Sequence, residues 1–206
     1  IVTQAASGCR VDSNVAKVSV AKISVQPTTP IDICVGGVIS VSVTTTVVPG
    51  TTYAYQWQSS TNGTVWNNES NASATKANFT SDPLSVSTQF RCVVTTTNPS
   101  CTLTSTAVTA TVVPDPTIDT QPQGGTICDG GNFNMSVQAS NGTPSLTYQW
   151  QSSTTSGSGF TDISGATSPN LSVTSLTQTT YYRVNVSASG NGCNTITSSE
   201  AAVVVV

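Results

Sequence analysis

The stretch Tyr55-Gln56-Trp57-Gln58-Ser59-Ser60-Thr61 returns unchanged as Tyr148-Gln149-Trp150-Gln151-Ser152-Ser153-Thr154. The two copies stand roughly 93 residues apart, the span of one ordinary domain, so the chain reads as a tandem repeat. Each copy alternates large aromatic residues with glutamines. An extended strand points successive side chains to opposite faces, which puts Tyr55 with Trp57, and Tyr148 with Trp150, on one face. The glutamines fall on the other face. One face is therefore read as core, the other as a polar outer surface.

Working outward, turn signals recur every 8 to 12 residues and no 3.6-residue periodicity appears, which makes the chain all-β. In the first repeat, Val38 to Val43 alternates apolar and polar, Pro49-Gly50 turns, and Tyr53 to Ser59 is the tryptophan strand. Asn62-Gly63 signals a tight hairpin leading to Val65-Trp66. Phe79, Leu84, Phe90 and Val94 carry the core onward, and Ala107 to Val113 is the last strand. The second repeat keeps the order. Cys128-Asp129-Gly130-Gly131 matches Cys34-Val35-Gly36-Gly37, Phe160 stands for Trp66, Leu171 for Phe79, and Tyr182-Arg183-Val184 for Phe90-Arg91-Cys92. A buried tryptophan on an interior strand, among many short strands, is the pattern of an immunoglobulin-like sandwich. The expected fold class is all-β, as tandem immunoglobulin-like β-sandwiches with core residues Tyr55, Trp57, Tyr148 and Trp150.

The expected divisions are residues 1–23, 24–113, 114–116 and 117–206. Residues 24–113 and 117–206 are the two complete domains, joined by the short stiff linker Pro114-Asp115-Pro116. Residues 1–23 match the tail of the later repeats, with Cys9, Cys101 and Cys193 at one repeat position. They read as the last two strands of a preceding domain. An isolated hairpin is marginal in water. The segment is thus either the trace of a longer array, the simpler explanation, or a pair of strands lent to a neighbouring molecule.

Composition narrows the function. Charged residues make up 7% of the chain and the net charge is -3, with six scattered cations. That leaves no basic patch for nucleic acid and no reason to expect an acidic membrane surface as partner. The longest apolar run, Ala201 to Val206, is far too short to span a bilayer, so no membrane insertion is expected. There is no histidine, no Cys-x-x-Cys, and no loop with two carboxylates, so no metal and no cofactor are expected. Catalysis by acid–base pairs or a nucleophile triad lacks its raw material, and the chain is read as not an enzyme. The Asn-x-Ser/Thr triplets at Asn68, Asn71, Asn78 and Asn170 are what chance supplies in so Ser- and Thr-rich a chain. Trp66 and Tyr53 change identity between repeats, which makes Trp66 the candidate for a glycan contact; cross-strand packing is its ordinary alternative.

Taken together, Cys-x-Gly-Gly, Tyr-Gln-Trp-Gln, Asp162-Ile163-Ser164-Gly165-Ala166-Thr167, Tyr-Tyr-Arg and Gly-Cys before a Val-rich last strand resemble one family. It is the immunoglobulin-like repeats of giant Bacteroidota cell-surface adhesins, many exported by the type IX system. The resemblance covers nearly the whole chain. It implies an extracellular or cell-surface location, a structural role in an adhesin stalk or filament, and neighbouring repeats as partners. A glycan- or protein-binding module, and a filament subunit donating its first strands, are the alternatives. In the stalk reading each domain is expected to yield to force in its own step.

Six cysteines, Cys9, Cys34, Cys92, Cys101, Cys128 and Cys193, in such a chain point to an oxidising compartment. Their pairing stays open from sequence. Pairing within domains gives Cys34–Cys101 and Cys128–Cys193. In a sandwich those positions sit at opposite ends, about 20 Å apart, whereas a disulfide needs Cα atoms within about 7 Å. Head-to-tail stacking gives Cys34–Cys193 instead, with Cys9, Cys101 and Cys128 left for domains outside this segment. Cys34–Cys92, near one end of the first domain, is the third arrangement.

Overall fold

A computed structural model describes residues 2–3, 10–11, 21–28, 31–97 and 100–206. The opening segment contributes β1 (Val2–Thr3) and β2 (Arg10–Val11), which pair antiparallel. The rest of residues 1–20, Cys9 included, lies outside the described residues, and so do Pro30 and Asn98-Pro99.

The first unit starts with β3 (Ile23–Val25), β4 (Ile31–Cys34), β5 (Ser40–Ser42) and β6 (Thr44–Thr45). The long β7 (Thr52–Ser60) follows, then β8 (Asn67–Asn68), β9 (Asn78–Thr80), β10 (Thr88–Thr97), β11 (Cys101–Thr104) and β12 (Val108–Val113). The second unit starts with β13 (Thr117–Thr120), β14 (Gly125–Ile127), β15 (Gly131–Ser136) and β16 (Gln138–Ser140). It continues through β17 (Leu146–Ser153), β18 (Thr161–Asp162), β19 (Asn170–Leu176), β20 (Thr180–Ala188), β21 (Ile196–Thr197) and β22 (Ala201–Val205).

Each unit is a sandwich. One face is a sheet in the order β4-β12-β10-β7-β8, with β11 also on β10; its counterpart runs β14-β22-β20-β17-β18, with β21 on β20. The other face is made of the pairs β3-β6 and β5-β9, or β13-β16 and β15-β19. In both units the early strand runs parallel to the last one, Ile31 beside Ala110 and Gly125 beside Val203.

The duplicated heptapeptide builds both units the same way. Trp57 and Trp150 have no exposed surface, and each sits in its unit's core with the preceding tyrosine packed at the edge. A buried indole needs a partner for its N–H. Trp57 donates to the Lys76 carbonyl at 2.9 Å and Trp150 to that of Ser168 at 2.8 Å. The first glutamine of each copy pins the covering loop: Gln56 Nε2 donates to Glu69 O, and Gln149 Nε2 to Ile163 O, each at 2.9 Å. The second glutamine accepts from an arginine on the adjacent strand, Arg91 to Gln58 at 2.9 Å and Arg183 to Gln151 at 2.7 Å. Every large side chain of the motif is thus committed to the fold.

Four local expectations change. The strand expected from Val38 to Val43 ends at Ser42. Val43 donates to Ala77 O, and the chain then moves from its pairing with β9 to a pairing with β3. Asn62-Gly63 does not form a two-residue hairpin. Asn62 Oδ1 accepts from Thr64 N at 3.0 Å and Val65 N at 2.9 Å, closing a wider loop over residues 61–66 with Gly63 at φ 72°. Leu84, expected to carry the core from within a strand, does pack against the core but from outside any strand, and its backbone brackets the Cys34–Gly37 loop. Ile23, assigned from sequence to the opening segment, pairs with Thr45 of the first unit.

Candidate functional site

The chemistry of the molecule concentrates where the two units meet. After β4 the loop Cys34-Val35-Gly36-Gly37 turns with Gly36 at φ 84°, a left-handed geometry that glycine adopts without a steric cost. Gly37 N donates to Cys34 O at 3.0 Å, and Gly36 N to Leu84 O at 2.8 Å. On the second unit, the turn after β20 is shaped by Gly190 N donating to Thr143 O at 2.7 Å and Cys193 N to Gly190 O at 3.1 Å. This last turn presents Asn191, Gly192 and Cys193 to the Cys34 loop.

The two loops dock backbone to backbone. Cys34 N donates to Asn191 O at 2.9 Å, and Val38 N donates to Asn191 Oδ1 at 2.7 Å. A Cβ at Gly37 would collide with the Asn191 carbonyl, and one at Gly192 with the Gly37 backbone. Only glycines allow so close an approach. A disulfide joins Cys34 to Cys193 with Cα atoms 4.7 Å apart, across 159 residues of sequence.

The linker takes part in the same junction. Asp115 accepts from Asn194 twice, from the backbone N at 3.2 Å and from Nδ2 at 2.6 Å. Pro114 O accepts from Gly142 N at 3.0 Å, and Pro116 is buried. The residue after Cys193 is therefore held by the linker while Cys193 itself is held by the first unit. Covalent bond, linker carboxylate and paired backbone fix one orientation from three directions.

This geometry corrects the arrangements that pair cysteines within a unit. Cys34 is bonded to Cys193, which leaves neither Cys34–Cys101, Cys128–Cys193 nor Cys34–Cys92 available. For the first two pairs the physical reason is the end-to-end separation of those positions within one sandwich; Cys92 instead faces the core opposite Trp57, fully buried, while the Cys34 sulfur is taken by Cys193. Among the described residues the unbonded thiols are Cys92, Cys101 and Cys128, which are buried, half-buried and exposed in that order. Cys92 lies directly across from Trp57 in the ladder, where Val184 faces Trp150. It is fully buried, and burial pushes its thiol up to about 11, so at neutral pH it is an un-ionised apolar filler.

Trp66 is half-buried beside the outer sheet face. The Arg91 guanidinium covers its ring at 4.1 Å from the centroid, and Arg183 covers Phe160 at 4.2 Å in the same way. One face of the candidate glycan platform is thus occupied by the protein's own cation. Tyr53 points its hydroxyl to Thr46 O at 2.6 Å. No group of three or more His, Cys, Asp or Glu residues suited to a metal occurs among the described residues. No helix there is long and apolar enough to cross a membrane.

Sequence reasoning passed over Asn191, Asn194 and Asp115. Their signals were present, a Gly-x-Gly before Cys193 and a carboxylate set between two prolines, but each reads alone as an ordinary turn residue.

Two all-β sandwiches in series, each with its early strand parallel to its last and a tryptophan at its centre, define a tandem immunoglobulin-like protein. Among solved structures the chain is similar to three N-terminal domains of the bacteriophage RB49 Highly Immunogenic Outer Capsid protein (Hoc). The TM-score is 0.59 at 14% identity, over 90% of this chain and 71% of that one. It is also similar to extracellular domains 3–5 of Drosophila OTK, with TM-score 0.46 and 18% identity over 92% of this chain and 63% of that one. The likeness to Hoc supports the fold. By sequence, residues 24–114 and 118–206 each match the family described as Domain of unknown function (DUF8696), and the chain belongs to that family. No curated protein matches it.

Proposed function

We propose that this pair of sandwiches is a load-bearing segment of a long extracellular stalk or surface filament of a bacterial adhesin, with neighbouring repeats as its partners. The observation that carries the reading is the Cys34–Cys193 bond. A disulfide spanning nearly two whole domains does little for either core alone but fixes their mutual position. It also persists in the oxidising surroundings outside a cell. The resemblance to Bacteroidota surface repeats supports the same location. So does a surface poor in charge, with six Lys and Arg in all as trypsin sites.

The mechanism follows from connectivity. Tension applied to the ends reaches Cys34 from one side and Cys193 from the other, and the disulfide carries it between them. The residues enclosed by the bond are removed from the load path. Each unit unfolding in its own step, the expectation from sequence, therefore applies only to the reduced chain. Tethering the full chain at its termini and pulling tests this. Oxidised, only the segments outside the bond should extend; with reductant, roughly 50 nm more contour should appear, from 159 residues at about 3.4 Å each. Equal lengths with and without reductant would sink the load-bearing reading.

A further inference from the structure

The chain contains three Asn-Gly steps, Asn62-Gly63, Asn141-Gly142 and Asn191-Gly192. A glycine carries no side chain to shield its own backbone nitrogen, and that nitrogen is the group that attacks the amide of a preceding asparagine. The three steps differ in what holds them. Gly63 N donates to Ser60 Oγ at 2.9 Å and Gly142 N to Pro114 O at 3.0 Å, whereas among the described residues none accepts from Gly192 N. Asn191 is exposed, so water reaches it. Here the restraint lies on the asparagine instead, and it comes from the other unit. Cys34 N holds the Asn191 backbone carbonyl at 2.9 Å, and Val38 N holds its side-chain oxygen at 2.7 Å. Attack swings the side-chain carbon onto Gly192 N through the torsions that these two bonds fix, and the reaction needs that conformer.

We propose that Asn191 is a deamidation site masked by the docked junction, and that its conversion to isoaspartate in an opened junction stops the two units from closing again. The second half follows from the packing. Isoaspartate lengthens the backbone by one methylene, at a place with no room for one more carbon. A Cβ on Gly37 would strike the Asn191 carbonyl, and one on Gly192 would strike the Gly37 backbone. Cys193 lies two residues on, so a chain lengthened at position 191 could not bring it back over Cys34. Closed, the junction protects the step; once opened, it ages in one direction. This depends on the observed junction and is independent of the stalk role.

The chemistry needs only water. Gly192 N bonds to Asn191 Cγ, the Cγ–Nδ2 bond breaks, and Nδ2 leaves as ammonia with the glycine amide proton. Water then opens the five-membered imide. Cleavage of the new Cγ–N bond gives aspartate with the original backbone, and cleavage of the old peptide bond gives isoaspartate. In sum an amide and a water become a carboxylate and an ammonium ion, and nothing is oxidised or reduced.

The test is ageing of the full chain at mildly alkaline pH, followed by peptide mapping with mass detection at positions 62 and 191. In the oxidised protein, position 191 should convert about 30-fold or more slowly than in the chain carrying Cys34→Ser with Gly37→Ala, the factor set by two ordinary hydrogen bonds. Cys34→Ser alone, which adds no bulk, should fall between the two. Asn62 is held within its own loop, so an equal rate there in all three shows that the first unit stays folded. Equal or faster conversion of position 191 in the oxidised protein would overturn the proposal. For the second half, wild-type chain aged in urea with reductant is refolded and oxidised with glutathione. Isoaspartate at position 191 should be confined to chains whose Cys34 and Cys193 stay unpaired, while isoaspartate at position 62 appears on both kinds. Its presence at position 191 in bonded chains would defeat the one-way closure. Neither result bears on the stalk role, which the pulling measurement tests.

Discussion

The first and second units share a backbone plan and differ in what fills it. Trp57 stacks on Phe79 with ring centroids 5.2 Å apart, and Phe79 meets Phe90 at 5.4 Å. In the second unit Leu171 and Tyr182 take the places of those phenylalanines, and Val184 takes that of Cys92. The polar scaffold changes far less. Gln56 and Gln149, Gln58 and Gln151, Arg91 and Arg183 make the same hydrogen bonds in both units. Ser105 and Ser198 likewise each accept from the central backbone N–H of Cys92 or Val184 at 2.9 Å. Apolar volume can be redistributed among neighbours, but a buried N–H needs an acceptor at one place. The repeat is thus fixed more tightly by its hydrogen-bonded staples than by its hydrophobic residues.

The largest break in that symmetry should come from the tryptophans. Trp57→Ala and Trp150→Ala each remove a fully buried indole, and each is expected to cost its own unit about 3–5 kcal/mol. In the reduced chain the untouched unit should keep its melting transition, since the cores are separate. If either substitution melts both units together, the two cores are not independent.

Alkaline pH distinguishes the units next. Cys92 holds its proton up to about 11 when folded, against an ordinary value of 9.0. A group whose folded pKa is raised stabilises fully below the unfolded pKa and loses that contribution as pH rises through the folded one. The first unit should therefore weaken between pH 9 and somewhat above 11, by up to about 3 kcal/mol. Burial also raises Tyr182 from its ordinary 10.0, so the second unit follows the same sign but starts about one pH unit later. Cys92→Val should flatten the first unit's loss and leave the second unchanged, as thermal melts of reduced protein from pH 8 to 12 would report.

The junction offers a smaller effect. Asp115→Ala removes both acceptors of Asn194 and should cost about 1–2 kcal/mol, because hydrogen bonds to a charged group are the stronger kind. Read as the equilibrium between Cys34–Cys193 and glutathione, this is a roughly 5- to 30-fold shift toward the reduced form. An unchanged equilibrium would mean that the linker does not orient the last turn.

Much of this was legible beforehand. The heptapeptide placed the tryptophan strands and the two-unit fold, because period-2 alternation is local information. The cysteine pairing was only narrowed, since sequence alone leaves several pairings of the six open; the end-to-end distance argument raised Cys34–Cys193 to equal standing with the pairings within domains and did not choose between them. Asp115 reaching Asn194 was not legible, because a contact between residues 79 apart follows from tertiary placement alone. The wide Asn62 loop was misread for a related reason. Asn-Gly favours a tight turn locally, but the Asn62 side chain supplies the acceptors that close a longer one.

The smallest effect is the sharpest test of the symmetry itself. Arg91 and Arg183 each lie over an aromatic ring and each donate to a glutamine of the duplicated motif. Both are half-buried on an outer face, where such a cation–π contact contributes about 0.5–1 kcal/mol. Indole attracts a cation more strongly than a phenyl ring does. Arg91→Ala should therefore destabilise its unit slightly more than Arg183→Ala does, and Trp66→Phe should erase the gap in a double-mutant cycle. A larger loss at Arg183 would place the value of the ladder in its glutamine hydrogen bond, which is the shorter of the two there, and the aromatic cap would become an accessory to it.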